Sequence, residues 1–321
     1  MRRKKLVIIT GILAFALAGC SVTGCGTTSG RIRFGAAGLG GMYHAFADTF
    51  TDIVQAENED YKMEVKTTAG SAANLRLLSE DYVQLAIAQA DLSNDAYYGT
   101  GIFEGKEYQG YSAVAGLYTE ACQIVVRDDS DIKYIDDLQG KKISIGEEES
   151  GTEQNANQIL AAYGLTDQLV DKVNLDYTEA ASELKDGEID AFFCTAGIQT
   201  TVIGELSKQC DIRLLNLDEK AKDKLLKAYD FYTEYEIPVE TYTGQTEAIN
   251  TVGVKAVLLA SDKTVREDSK KILPGHYLHI NRNYSIPCRQ ILHWTKQMQS
   301  KEFRFHFIKV LSNIMNLQVW M

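Results

Sequence analysis

"RIRFGAAGLGGMYHAFADTF", Arg31 to Phe50, and "KKISIGEEESGTEQNANQIL", Lys141 to Leu160, decide the fold between them. Each sets a short apolar run before a glycine-bearing loop and then begins a helix. In the first, Met42, Tyr43, Phe46, Phe50, Ile53 and Val54 recur at the three-to-four spacing of a buried helical face. Around them the same alternation continues: "KMEVKTT" leads to "SAANLRLLSE" and then to "VQLAIAQAD", while "EIDAFFCTAG" leads to "IQTTVIGELSKQ". Strands that alternate with helices build parallel sheets with helices on their faces. A second duplicated design, "LLSEDYVQLAIAQAD" and "ELKDGEIDAFFCTAG", runs from a helix end through a tight turn into a strand. The expectation is an α/β fold of two similar lobes, with the loops at the C-terminal strand ends facing each other across a ligand cleft. Lobe 1 is assigned to residues 31–118, lobe 2 to 119–215, and a return to lobe 1 to 216–270. The crossings are placed near residue 119 and near residue 213, and two crossings permit a hinge.

The ends of the chain read differently. Residues 1–20, "MRRKKLVIITGILAFALAGC", place four cations before the apolar run Leu6 to Ala18, too short to favour a spanning helix, and so read as an export signal. Leu17-Ala18-Gly19-Cys20 fits a bacterial lipobox, which makes Cys20 the lipid-modified residue, with Cys25 in Val22-Thr23-Gly24-Cys25 as the alternative. Residues 21–30 then form a flexible tether, and the protein is expected outside the cytoplasm, anchored to the cell membrane by more than one acyl chain. At 271–321 the composition shifts: four of the five histidines, both tryptophans and two of the three prolines fall there. A shifted reading frame or misjoined end is the expectation, and a genuine basic, apolar tail is its rival.

Composition narrows the chemistry. The formal charge is −11, and residues 21–270 hold 22 basic against 43 acidic side chains, which disfavours nucleic-acid binding. Cys122, Cys194, Cys210 and Cys288 are scattered without metal-like spacing and read as buried thiols. The glycines of "GLGGMYH" suit a backbone cradle for a phosphate or a carboxylate. A dinucleotide loop would need glycine where Tyr43 stands, however, and no Gly-Lys-Ser/Thr follows for a P-loop. Ser71 lacks the G-x-S-x-G frame of a hydrolase, and His44 alone before residue 271 reads as a surface or packing residue. The acidic runs "RDDSDIKYIDD" and "GEEESGTE" lack the EF-hand frame and read as solvated loops, although Glu147 to Glu149 stand at a strand end where a ligand's cationic group would meet them. No catalytic residue, cofactor or metal is expected.

What remains are loops suited to holding a small polar molecule. Ser71 reads as a helix N-cap with Asn74 one turn inside, Gln89 and Asp91 end a strand, and Ser150 to Glu153 form a candidate capping box beside free helix N–H groups. Four segments, "GAAGLGGMYHAFA", "TTAGSAANLRLLSEDYVQLAIAQADLSNDAY", "LYTEACQIVVRDDSDIKYIDDLQGKKISIGEEESGTEQNANQIL" and "LKDGEIDAFFCTAG", in this order resemble the TAXI solute-binding proteins, the extracytoplasmic receptors of one branch of the TRAP transporters. The resemblance covers about residues 31–270. It implies a type II periplasmic-binding-protein architecture that captures a carboxylate-bearing solute such as glutamate or glutamine and delivers it to a separate multi-helix permease. Carried over by position, it implies ligand contacts from Gly40, Gly41, Met42 and Tyr43, from Ser71, Ala72 and Asn74, and from Gln89 and Asp91. The other lobe would supply Glu149, Ser150, Gly151 and Thr152, with Ala196 and Gly197. Amides near Gly41 or Thr152 would hold the carboxylate, Tyr43 would pack on the ligand stem, and Asn74 or Gln89 would test its polar end. Many relatives carry proline where this chain has Gln199. The alternative role is a sensor module that presents the same ligand to a signalling receptor.

Overall fold

A computed structural model describes residues 31–57 and 62–263, so the signal segment with Cys20 and Cys25, the tether and the 271–321 tail lie outside the described residues. The first lobe is entered through β1 (Ile32–Gly35), α1 (Met42–Glu57), β2 (Met63–Lys66), α2 (Ser71–Ser79), β3 (Leu85–Gln89) and α3 (Ala90–Tyr98). A long strand, β4 (Tyr111–Arg127), leads to β5 (Lys142–Ser144), α4 (Gly151–Tyr163), β6 (Asp171–Val173), α5 (Tyr177–Asp186), β7 (Ala191–Ala196) and α6 (Thr201–Gln209). The remaining elements are β8 (Ile212–Leu214), α7 (Glu219–Ala228), β9 (Thr233–Ile237) and β10 (Ile249–Ser261).

The strand order β2-β1-β3-β10-β4-β7-β5-β6 contains one design twice. In the first half, β2, β1 and β3 are parallel and β10 closes them antiparallel. In the second, β6, β5 and β7 are parallel and β4 closes them antiparallel. The duplication expected from the sequence is therefore a duplication of strand topology, and the α/β, two-lobed type II architecture follows from it.

Both faces of each half-sheet are buried, as parallel strands require. Ile87 and Leu258 face a cluster with Phe34, Phe46 and Phe50, whereas their neighbours Ala88 and Leu259 face Leu75, Leu78 and Leu92. In the second lobe Phe193 joins Ile143, Ile159 and Leu160, and Phe192 on the opposite face joins Leu184, Ile203 and Leu206. The period-two alternation of a strand puts adjacent phenylalanines into separate cores.

Among the described residues, two strands join the lobes. β4 pairs with β10 as far as Ala121 and with β7 from Ala121 onward, so it changes lobes at that residue. The second crossing differs from the one placed near residue 213: β8 pairs with the far part of β4, and Leu217, Leu225 and Tyr232 belong to the same core as Ile143 and Phe193. The chain returns in β10, whose Val252 and Val254 belong to that second-lobe core while Ala256 and Leu258 belong to the first.

Candidate ligand-binding site

The cleft between the lobes holds a cavity with an empty volume of about 480 Å³, part of it open solvent at the mouth. From the first lobe it is lined by Gly38, Gly41, Met42, Tyr43, Gly70 and Ser71, and from the second by Ser150, Gly151, Thr152, Tyr177, Thr195 and Ala196. Glu120, Glu147 and Asp176 add carboxylates, and among the described residues no Lys, Arg or His lines the cavity.

Ser150 is the N-cap of α4, its Oγ accepting from Glu153 N at 3.0 Å. The reciprocal half of the expected capping box is displaced by one residue: Glu153 Oε2 accepts from Glu149 N rather than from Ser150. The amides of Gly151 and Thr152 are the first two of the helix and have no intrahelical acceptor, so they offer donors and partial positive charge to the cavity they line. The Thr152 hydroxyl is engaged differently. Tyr177 Oη donates to Thr195 O at 3.0 Å, so Thr152 Oγ1 donates to Tyr177 Oη at 2.5 Å while accepting from Thr195 N.

Of the residues singled out in the sequence, Gly41, Met42, Tyr43, Ser71, Glu147, Ser150, Gly151, Thr152 and Ala196 line the cavity. Gly40, Ala72, Glu149 and Gly197 instead stand where the lobes meet. Gly40 O accepts from Thr200 Oγ1 and Val202 N, and a Cβ on Gly197 would lie 3.1 Å from Met42 Cγ. On the other side Glu149, at φ 64°, turns its carbonyl to the amides of Ala72 and Ala73 at 3.1 and 3.2 Å. Gln89 also bridges the lobes, its Nε2 donating to Asn155 Oδ1 at 2.9 Å.

Asn74 sits elsewhere. Fully buried in the first lobe, it donates to the carbonyls of Gly35, Ala36 and Ile87 and accepts from Thr68 Oγ1. It ties β1 to β3 and does not line the cavity. Ser71 is not an N-cap either: Gly70, at φ 128°, takes that position, and Ser71 Oγ accepts from Gln89 N. Asp91 lies behind the cavity wall in the first turn of α3, with an Oδ1 shielded from solvent that meets no donor. Burial pushes its carboxyl up to about 7.

Glu120, Tyr177, Thr195 and Asp176 were not singled out in the sequence. Glu120 is 2% exposed, and its Oε2 accepts from Tyr43 Oη at 2.7 Å. Burial, then the charge of Asp91, raise its carboxyl to about 8 against the lowering effect of Tyr43 and Gln89. The available signal was an acid inside the apolar strand "TEACQIVV". The thiols of Cys122 and Cys194 are buried and pushed above the ordinary range, Cys122 to about 12, which makes them inert. His44 on α1 is largely covered, 3.0 Å from Asp48 and 3.4 Å from the Thr67 hydroxyl. Among the described residues no cluster of His, Cys, Asp or Glu could hold a metal ion, and no helix is long and apolar enough to cross a membrane.

This fold and cleft are those of the two-lobed, type II periplasmic-binding-protein architecture. The chain belongs to the NMT1-like family, which matches residues 34–274. Among solved structures it is similar to the alkanesulfonate-binding protein SsuA from Xanthomonas axonopodis pv. citri bound to MOPS, at 16% identity over 74% of this chain and 67% of that one, with a TM-score of 0.46. It is similar to the periplasmic aliphatic sulphonate-binding protein SsuA from Escherichia coli at 14% identity, over 89% and 79% of the two chains, with a TM-score of 0.45. The substrate-binding protein of an amino acid ABC transporter matches at 15% identity, 75% and 94% coverage and a TM-score of 0.44. The ligand is a matter for this chain's own cavity.

Proposed function

We propose that the chain is an extracytoplasmic receptor, lipid-anchored through Cys20, that captures a small carboxylate-bearing solute and delivers it to a TRAP-type permease. The observation that carries this reading is the interlobe cavity lined by the amides of Gly151 and Thr152 at the start of α4. Helix N-termini receive carboxylates readily, and a cavity between hinged lobes replaces the solute's hydration with fixed dipoles. The resemblance to TAXI receptors supports a TRAP-type permease as recipient and glutamate, glutamine or a related compound as cargo. Tyr43, Ser71 and Ala196 would complete the walls. Thermal unfolding of the purified chain against amino acids and dicarboxylates tests the reading, because a ligand that binds only the folded state raises stability with its concentration. No stabilisation of a folded sample by any of them sinks it.

A further inference from the structure

We infer that Glu120 reads the charge of the cargo: besides its carboxylate, the solute carries an ammonium or comparable cation that the Glu120 carboxylate receives. This rests on the carboxylate-solute reading above, in which glutamate and glutamine already stand, and assigns the residue that selects such amine-bearing solutes over plain dicarboxylates.

The argument begins from the cost of burying a carboxylate. Such a group needs a cation, several hydrogen-bond donors, or a proton. Glu120 stands one residue before the lobe crossing at Ala121, is almost wholly buried, and lines the cavity. Among the described residues, the ionisable and amide groups that face it are Tyr43 of α1, Gln89 of β3, Asp91 of α3, Tyr118 and Cys122 of its own strand, Tyr177 of α5 and Cys194 of β7. They are phenols, thiols, one amide and a second carboxylate, and none carries positive charge.

The other ionisable groups of the cavity wall point the same way. Glu147 and Asp176 also line it, and Glu147 is raised by burial and by the charges of Asp176 and Glu179. The cavity is therefore bipolar, with helix amides at Gly151 and Thr152 for an anionic end and carboxylates for a cationic one. A dicarboxylate without an amine would set a second negative charge against these groups. An ammonium instead supplies the counter-charge that Glu120 lacks. Where Glu120 is protonated in the empty cavity, its proton passes to solvent as the ammonium enters, leaving a carboxylate–ammonium pair and one free proton.

The test is calorimetry on the wild-type chain at pH 7 with matched pairs that differ only in the amine: glutamine and glutaramate, glutamate and glutarate, alanine and propionate, leucine and 4-methylpentanoate. Each is run in two buffers of different ionisation enthalpy to count protons. Binding of the amino member about tenfold or more tighter than its partner is expected, the scale of a hydrogen bond to a charged group, with proton release. Glu120→Gln, verified as folded by circular dichroism, should reduce the preference towards onefold and abolish the release. Equal affinity within the pairs would overturn the inference and leave the carboxylate receptor standing. Absence of binding by every compound would overturn both.

Discussion

Arg76, on a helix of the first lobe, grips the carboxylate of Glu149 on a loop of the second, with Nη2–Oε2 at 2.7 Å and Nε–Oε1 at 3.3 Å. The same Glu149 presents its carbonyl to the amides of Ala72 and Ala73, so one residue closes the cleft twice, through side chain and through backbone. Its φ of 64° is a left-handed conformation that favours glycine.

The two contacts can be separated. Glu149→Gly should keep the carbonyl contact and relieve the backbone while losing the ion pair, so folding stability should change by less than about 1 kcal/mol. Arg76→Ala, which also removes only the half-exposed ion pair, should increase the open population by no more than a few-fold. Chemical denaturation reads the stability, and small-angle scattering of the empty protein, as the radius of gyration, reads the opening of both variants. A fully opened Glu149→Gly would show that the ion pair, rather than the carbonyl, holds the lobes together.

Gly151 tests closure from the cavity side. A Cβ there would lie 2.5 Å from the side chain of Gln89, which is itself buried. Gly151→Ala should therefore hold the lobes apart and weaken solute binding by roughly 1–3 kcal/mol, the usual scale of overpacking. Affinity by calorimetry, paired with scattering, checks this. Unchanged affinity would mean that Gln89 moves aside without consequence.

Asn74→Ala should destabilise the first lobe by roughly 2–4 kcal/mol, because three buried carbonyls lose a donor together. Chemical denaturation measures it. A variant that binds poorly while keeping wild-type stability would return Asn74 to the ligand site.

Stability should also depend on pH in an uncommon direction. Glu120 rises from an ordinary 4.5 to about 8 and Asp91 from 3.8 to about 7, so the folded chain holds more protons than the unfolded one between these values. Their contribution is fully present below about pH 4 and is lost as pH rises through 7 and 8, at up to about 1.4 kcal/mol per pH unit for each proton. Denaturation midpoints of the ligand-free protein from pH 5 to 9 check the slope, and Glu120→Gln should flatten it. A stability that climbs across this range would contradict the assigned direction.

The two-lobed fold was legible because its signals are local. Strand, glycine loop and helix follow one another within twenty residues, and "AFFC", Ala191 to Cys194, is apolar throughout because both of its faces are covered. The second crossing was not legible, since α7 looks like any amphipathic helix and only the packing of Leu217, Leu225 and Tyr232 with Ile143 and Phe193 assigns the segment after residue 215 to the second lobe. Asn74 and Ser71 show the limit within the site: a polar residue at a helix start has one appearance whether it meets ligand, carbonyl or amide. Gly70 shifted the cap by a residue through its positive φ, which composition does not encode. Glu120 was passed over because its facing depends on where β4 passes from one half of the sheet to the other.

β10 carries one more consequence, for the order in which the chain can fold as it is made. Until residues 249–261 emerge from the ribosome, β3 has no antiparallel neighbour, the second-lobe core lacks Val252 and Val254, and β9 has nothing to pair with. Vectorial synthesis therefore leaves the first half of the sheet open and the second-lobe core incomplete through most of translation. A sheet edge exposed for so long invites pairing with other chains, so nascent chains stalled before residue 249 should depend on a holding chaperone in a way that the finished protein does not.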